Sequence, residues 1–354
     1  MSDYQKELSE LLLMAVKENA SDLHLTVGRH PTLRILGNLI PLVKKPFLSP
    51  EDAKGLIFSM LDEKDQELLV NNKELDFSYS FEEKIRLRVN AFTQRGFFGA
   101  ALRVIPSVIK TFKELNLPEI LVNFSGKEQG FFLVVGPIGH GKSTTLAAII
   151  DYINHKKSSH ILTIEDPIEY LFVQDKSIVD QREVRIDTKN FHIALRSMFR
   201  EDINVAMIGE MRDTETISAA VTAGETGHLI FSSLHTNNAA QTIDRIIDSY
   251  PPNQQDQIRL QLSNALLGIF SQRLVPRVSG GRVPAYELLI NNPAIKNIIR
   301  ENRTHEIDMV IETSFELGMI SLNRSLSDLV RDKEIAVEDA IAFSLNPEGL
   351  VGMI

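Results

Sequence analysis

Residues 136–144 read Gly136-Pro137-Ile138-Gly139-His140-Gly141-Lys142-Ser143-Thr144. The embedded G-x-x-x-x-G-K-S pattern constrains the fold, because it cradles phosphate only between a strand and a helix. Both flanks fit: 131–135 is an unbroken apolar run of strand character, and 144–154 reads as a helix. Glycines let backbone N–H groups converge on phosphate oxygens, and the helix N-terminus adds partial positive charge. In such a loop Lys142 reaches the β- and γ-phosphates of ATP, and the Ser143 hydroxyl ligates Mg²⁺. Residues Gly136 to Thr144 are therefore the expected nucleotide-binding set. The competing reading is a tight glycine turn without chemistry.

A chain of 354 residues has room for two or three domains. It holds no cysteine, which excludes disulfides and thiolate-held zinc or iron–sulfur centres. Residues 1–10 are polar and acidic, so no secretory leader is expected. No apolar run approaches the roughly 18–20 residues that span a bilayer. The expectation is a cytoplasmic protein without direct membrane insertion. Asp and Glu number 47 against 38 Lys and Arg, a formal charge of −9. Without a basic, aromatic-rich module, that balance disfavours nucleic acid as a partner.

The pattern changes along the chain. Residues 4–19 place Leu8, Leu11, Leu12 and Ala15 at helical spacing. An alternating strand follows at 22–27, then a hairpin through 32–43 turning at Gly37-Asn38, and a helix opened by Ser49-Pro50 with Asp52. Stretches 76–81, 85–92 and 98–105 alternate as strands. The first hundred residues thus read as a mixed α+β domain, ended by Pro106, with a connector over 106–117. From 131 on, apolar strands at 131–135, 161–164, 205–208 and 229–232 alternate with helices, the pattern of a parallel sheet covered on both faces. Sites in such sheets gather at the C-terminal ends of the strands. After Pro293 the chain reads as mostly helical to Leu345. The domain reading is 1–105, connector 106–117 and 118–354.

Three further segments end where chemistry gathers. The strand at 161–164 runs into Glu165-Asp166-Pro167-Ile168-Glu169. With a phosphate loop on a neighbouring strand, Glu165, Asp166 and Glu169 can order Mg²⁺ or its waters; alone they would read as a solvated acidic turn. The strand at 205–208 ends in Gly209-Glu210-Met211-Arg212-Asp213. Glycine stands where many NTPases carry a metal-binding aspartate, which leaves Glu210 best placed to polarise the attacking water. Last comes Thr226-Gly-His228, the strand, and Leu234-His235-Thr236, beside the previous segment. His235 is the better candidate to sense the γ-phosphate; His228 is open between a structural and a functional role.

In this order, the four segments resemble the Walker A, Asp box, Walker B and His box of the secretion-ATPase superfamily of type II and type IV machines. Ser21-Asp22-Leu-His-Leu and Arg88-Val-Asn-Ala-Phe92 also resemble that family's first domain. Ala294-Ile-Lys-Asn-Ile-Ile-Arg300-Glu301 and the compact length are similar to the pilus-retraction (PilT-like) branch. The resemblance implies a PAS-like N-terminal domain and a RecA-like P-loop NTPase domain with C-terminal helices. It implies a homohexameric ATP-hydrolysing motor for type IV pilus retraction and twitching motility. Such a motor acts at the inner face of the cytoplasmic membrane, on pilin through a membrane platform protein. It also implies that Arg88, Arg103, Arg196 and Arg212 meet the nucleotide, where guanidinium groups stabilise charge developing on the γ-phosphate. Two departures stand out: His140 replaces the usual serine of the loop, and Ile203-Asn204 replaces the usual Pro-Asp ahead of the Walker B strand. Motors for pilus assembly or type II secretion, and a non-hydrolysing ring subunit, are the alternatives.

Overall fold

The computed structural model describes residues 3–35, 37–81, 85–105, 108–211 and 213–354. They fall into two compact units, Met1–Val108 with Glu169–Leu171, and Ile109–Ile168 with Phe172–Ile354. Among the described residues no helix is long and apolar enough to cross a membrane.

The first unit begins with α1 (Asp3–Lys17), whose Leu8, Leu11, Leu12 and Ala15 are buried as their spacing predicts. Strands β1 (Asp22–Leu25), β2 (Thr32–Ile35) and β3 (Asn38–Pro41) follow. Next comes α2 (Pro50–Phe58), whose start is fixed by a reciprocal cap. The Asp52 N–H donates to Ser49 Oγ, the Ser49 N–H donates to the Asp52 carboxylate, and Pro50 opens the first turn. Helix α3 (Glu63–Asn72) and strands β4 (Glu74–Phe81), β5 (Ile85–Gln94) and β6 (Phe97–Ile105) complete the unit. The six strands form one antiparallel sheet in the order β3-β2-β1-β6-β5-β4. Its apolar face, including Leu23, Leu87, Val89 and Leu102, packs on the buried stripes of α1 and α2.

Strand register lines up charged residues across this sheet. Asp22 lies opposite Arg34 on one side and Arg103 on the other, and Arg103 lies opposite Arg88. Asp22 is buried and pairs with Arg103 Nε at 3.1 Å and Arg34 Nε at 3.8 Å. Like charges directly opposite one another are unfavourable, so Asp22 offsets part of the Arg103–Arg88 repulsion.

In the second unit, α4 (Leu121–Ser125) leads into β7 (Gly130–Val135) and α5 (Lys142–Lys156). The chain continues through β8 (His160–Glu165), β9 (Ile178–Glu183), α6 (Phe191–Met198), β10 (Val205–Ile208), α7 (Thr214–Glu225) and β11 (Leu229–Leu234). Helices α8 (Ala239–Asp248) and α9 (Pro252–Ala265) then precede the hairpin of β12 (Leu266–Pro276) and β13 (Arg282–Ile290). The sheet order is β13-β12-β7-β11-β10-β8-β9, parallel except for β13. Side chains of β7 alternate between two cores. Phe131, Leu133 and Val135 join α7, α8 and α9, while Phe132 and Val134 join α4 and α5. That split is the signature of a sheet covered on both faces.

Two features differ from the sequence reading. The Asp-box strand β8 is not the neighbour of β7, since β11 and β10 lie between them. Strands β9, β12 and β13 are additional to the four strands read from the sequence. The remainder is helical, as expected: α10 (Pro293–Arg300), α11 (Ile307–Thr313), α12 (Leu322–Arg331), α13 (Val337–Phe343) and α14 (Pro347–Val351). The last three helices pack against the β12–β13 hairpin through Leu326, Ala340 and Leu350.

The Ile203-Asn204 departure serves the sheet. Ile203 is buried in the core. Asn204 exchanges backbone and side-chain hydrogen bonds with the His160 backbone and accepts from the Leu229 N–H, so it ties the starts of β8 and β11.

Candidate active site

The phosphate loop is built by close approach between β7, α5 and β12. Gly136, Gly139 and Gly141 have φ of 143°, 79° and 82°, a region that favours glycine. At Gly136 space matters too, because a Cβ would lie 2.3 Å from the Gln272 carbonyl oxygen. Helix α5 has Gly141 as its N-cap and so no side-chain cap. Its neighbours α6, α7 and α8 are capped by Asn190, Asp213 and Asn238. Uncapped N–H groups at this end suit an anion.

Lys142 is buried at 8% exposure. Its ammonium donates to the carbonyls of Gly136 at 2.9 Å and Pro137 at 3.0 Å, and lies 3.1 Å from His235 Nδ1. His235 Nε2 in turn lies 3.3 Å from Glu210 Oε1. The sheet explains this row: β7, β11 and β10 are adjacent and parallel, and Lys142, His235 and Glu210 each follow the C-terminal end of one of them. Backbone ties fix the turn after β10. The Gly209 N–H donates to the Ile164 carbonyl at 2.8 Å, and the Ser233 hydroxyl donates to the Gly209 carbonyl at 2.6 Å. A Cβ at Gly209 would sit 3.4 Å from the Ile164 oxygen, an ordinary contact distance, so the backbone ties rather than lack of space fix this turn.

The carboxylates at and beyond the end of β8 are held separately. Glu165 is 5% exposed and accepts from the Thr163 hydroxyl at 2.7 Å. Asp166 pairs with Arg185 at 3.6 Å, and Glu169 is exposed. Among the described residues no three His, Asp or Glu side chains gather to hold a metal. Ser143, Glu165 and Asp166 are hard oxygen donors, the class Mg²⁺ takes, and Mg²⁺ completes its shell with water and phosphate oxygens. The donor set therefore fits an ion shared with a nucleotide rather than a dedicated protein cage.

Arg88 and Arg103 are exposed on β5 and β6 of the first unit, and Arg196 is exposed in the last turn of α6. Arg212 lies outside the described residues. His228 is at the other end of β11 from His235. Its ring stands edge-on to Phe199 with centroids 5.5 Å apart, and its Nδ1 is buried without a hydrogen bond.

The sequence matches the family described as Type II/IV secretion system protein over residues 3–281. The chain belongs to that family. It is 43% identical over 342 residues to the type IV pilus retraction ATPase PilT of Pseudomonas aeruginosa, covering 97% of this chain and 99% of that one. A twitching motility protein of Neisseria gonorrhoeae is 42% identical over 321 residues, covering 90% of this chain and 86% of the relative. A crystal structure of the pilus retraction motor PilT with bound ADP superposes with a TM-score of 0.91 at 48% identity, over 97% of this chain and 98% of that chain. The PAS-like first domain and RecA-like ATPase domain expected from the resemblance stand.

Sequence reading missed the residues that seat the loop. Gln272 on β12 donates to the His140 carbonyl at 2.7 Å and accepts from the Thr145 hydroxyl at 2.7 Å. Ser271 Oγ and Arg273 reach Asn237, just beyond the His box. Glu287 on β13 accepts the Ala239 N–H that opens α8, at 2.8 Å. Burial pushes the Glu287 carboxyl up to about 7, with Asp308 adding to the rise and the Ala239 N–H and Arg273 opposing it. The available signal was Gly280-Gly281 between two apolar runs, a hairpin marker.

Proposed function

We propose that this protein is an ATP-hydrolysing motor that powers type IV pilus retraction, working as a homohexameric ring. The observation that carries the reading is the row Lys142–His235–Glu210 across three adjacent parallel strands. Lys142, now held by loop carbonyls, exchanges them for the β- and γ-phosphates of ATP. Glu210 orients and deprotonates the attacking water. His235, between the two, reports whether the γ-phosphate is present, because it touches both the lysine that holds phosphate and the base that acts on it. Mg²⁺, held by Ser143 with Glu165, Asp166 or Glu169 acting on its waters, would neutralise charge developing on the phosphate. Arg88, Arg103, Arg196 and Arg212 are assigned to the same charge, the first two from the N-terminal domain.

Motion follows from turnover. A hinge in the connector at 106–117 would let nucleotide state change the angle between the domains, and a ring would pass that change between subunits. The load is pilin, reached through a platform protein of the cytoplasmic membrane, with the motor peripheral at its inner face. On α10, Ile295, Ile298 and Ile299 are buried while Arg300 and Glu301 are exposed. That face suits coupling rather than catalysis. Deleting the gene and imaging pili tests the direction of work. Cells crowded with pili that do not retract are the expected result; bald cells would assign the motor to assembly instead.

A further inference from the structure

Position 140 carries histidine where the family's loop usually has serine, and the side chain is engaged. The Leu274 N–H of β12 donates to His140 Nδ1 over 2.9 Å. A ring nitrogen that accepts a hydrogen bond carries no proton, so the neutral ring holds its proton on Nε2. The ring also stands edge-on to Phe343 of α13, centroids 6.1 Å apart, within the range of favourable ring pairs. Serine ends one bond nearer the backbone than Nδ1 and has no ring, so it offers neither contact in this form. Backbone contacts act in the same direction. Gln272 bonds the His140 carbonyl, and Arg282 donates to the Gly139 carbonyl at 3.4 Å.

We infer that His140 is a positioning residue for nucleotide: by accepting the Leu274 N–H, its neutral imidazole holds the phosphate loop in binding shape. The inference rests on the nucleotide site proposed above. Its physical basis is preorganisation, since a loop already fixed loses less freedom when phosphate arrives. Protonation removes the acceptor and sets one N–H against another. The charged groups around the ring are Lys142 of α5, Arg273 of β12 and Arg282 of β13, all cationic, while α13 brings the uncharged Phe343 ring. Burial first, and then these three cations, push the His140 pKa below its ordinary value. Acidification therefore works against the loop, and ordinary cytoplasmic pH leaves it intact.

The test is calorimetric titration of metal-free ADP into wild type, His140→Ala, His140→Asn and Lys142→Ala, at pH about 8 and about 5. Asparagine places an amide oxygen near the Nδ1 position and does not protonate in this range. At the higher pH, His140→Ala should bind ADP about tenfold more weakly and His140→Asn within about threefold of wild type. Lowering the pH should weaken wild type more than His140→Asn. In steady-state turnover, the loss in His140→Ala should appear in KM before kcat. If His140→Ala does not fold, the difference in pH response between wild type and His140→Asn still decides the matter. Unchanged ADP affinity in His140→Ala, or equal pH responses in wild type and His140→Asn, would overturn the assignment while Lys142→Ala remains defective. A Lys142→Ala protein that binds ADP as tightly as wild type would overturn the nucleotide-site reading itself.

Discussion

His235 and His228 bracket the same strand, β11, in very different surroundings. His235 follows the C-terminal end and stands between the Lys142 ammonium and the Glu210 carboxylate. His228 precedes the N-terminal end and has a Phe199 ring for company, with its Nδ1 buried and unbonded. Residue type and strand are the same; the polarity of the sheet is the difference. Parallel strands send their C-terminal ends to one edge, and there the loops after β7, β10 and β11 meet. At the opposite edge Asn204 ties the starts of β8 and β11. In the proposed function one edge does chemistry, while the other keeps the strands in register.

The largest effect should come from the chemical edge. Lys142→Ala removes the ammonium aimed at phosphate, and loss of even one such donor costs about 10²–10³-fold in turnover. ATPase assays and nucleotide titration on the purified variant check this, and near-normal turnover would break the contrast at its root.

The histidines themselves give the next test. His235→Ala should lower kcat by about 10²-fold, the scale of losing one hydrogen-bonding group aimed at charge in the transition state. His228→Ala should leave kcat within about twofold and remove about 1 kcal/mol of stability, the scale of an edge-on ring pair. Thermal melts and turnover on both variants separate the two effects. Equal losses of turnover would show that the far edge also takes part in catalysis.

A smaller effect should come from Glu287, buried beside the exit of the His box. Its carboxyl is raised from 4.5 to about 7 in the folded state. The folded protein therefore holds that proton more tightly than the unfolded chain does. The stability it contributes is full below the unfolded value and is lost as pH rises through about 7. Wild-type melting temperature should fall between pH about 5 and about 7 and level off above that, and Glu287→Gln should flatten that fall while keeping an acceptor for the Ala239 N–H. An unchanged slope in the variant would remove Glu287 from the pH response.

Much of the chemical edge was legible in sequence because its residues sit beside strong local signals. Strand β10 falls on Val205–Ile208, the apolar run that marked it, and Glu210 follows directly. The cap at Ser49 and the apolar face of α10 were equally local. Strand β9 was not legible, because it is an edge strand with the mixed sequence IVDQRE and only partial burial. The β12–β13 hairpin was missed although Gly280 and Gly281 mark its turn, since Gln272 and Arg273 interrupt its apolar run. Its role was illegible for a further reason. Leu274 and His140 are 134 positions apart, and no spacing rule connects them. The Asp box misled through adjacency: chain order put β8 next after β7, but the sheet interposes β11 and β10.

The central claim is that the C-terminal edge turns over ATP through Glu210 while Lys142 holds it. The most direct measurement compares ATP binding with single-turnover hydrolysis in Glu210→Gln. The substitution keeps size and removes the charge that orients and deprotonates water. The account predicts binding close to wild type and hydrolysis slower by about 10²–10⁴-fold. Lost binding with normal turnover at saturation would contradict it, because that pattern marks an interaction equal in ground and transition states.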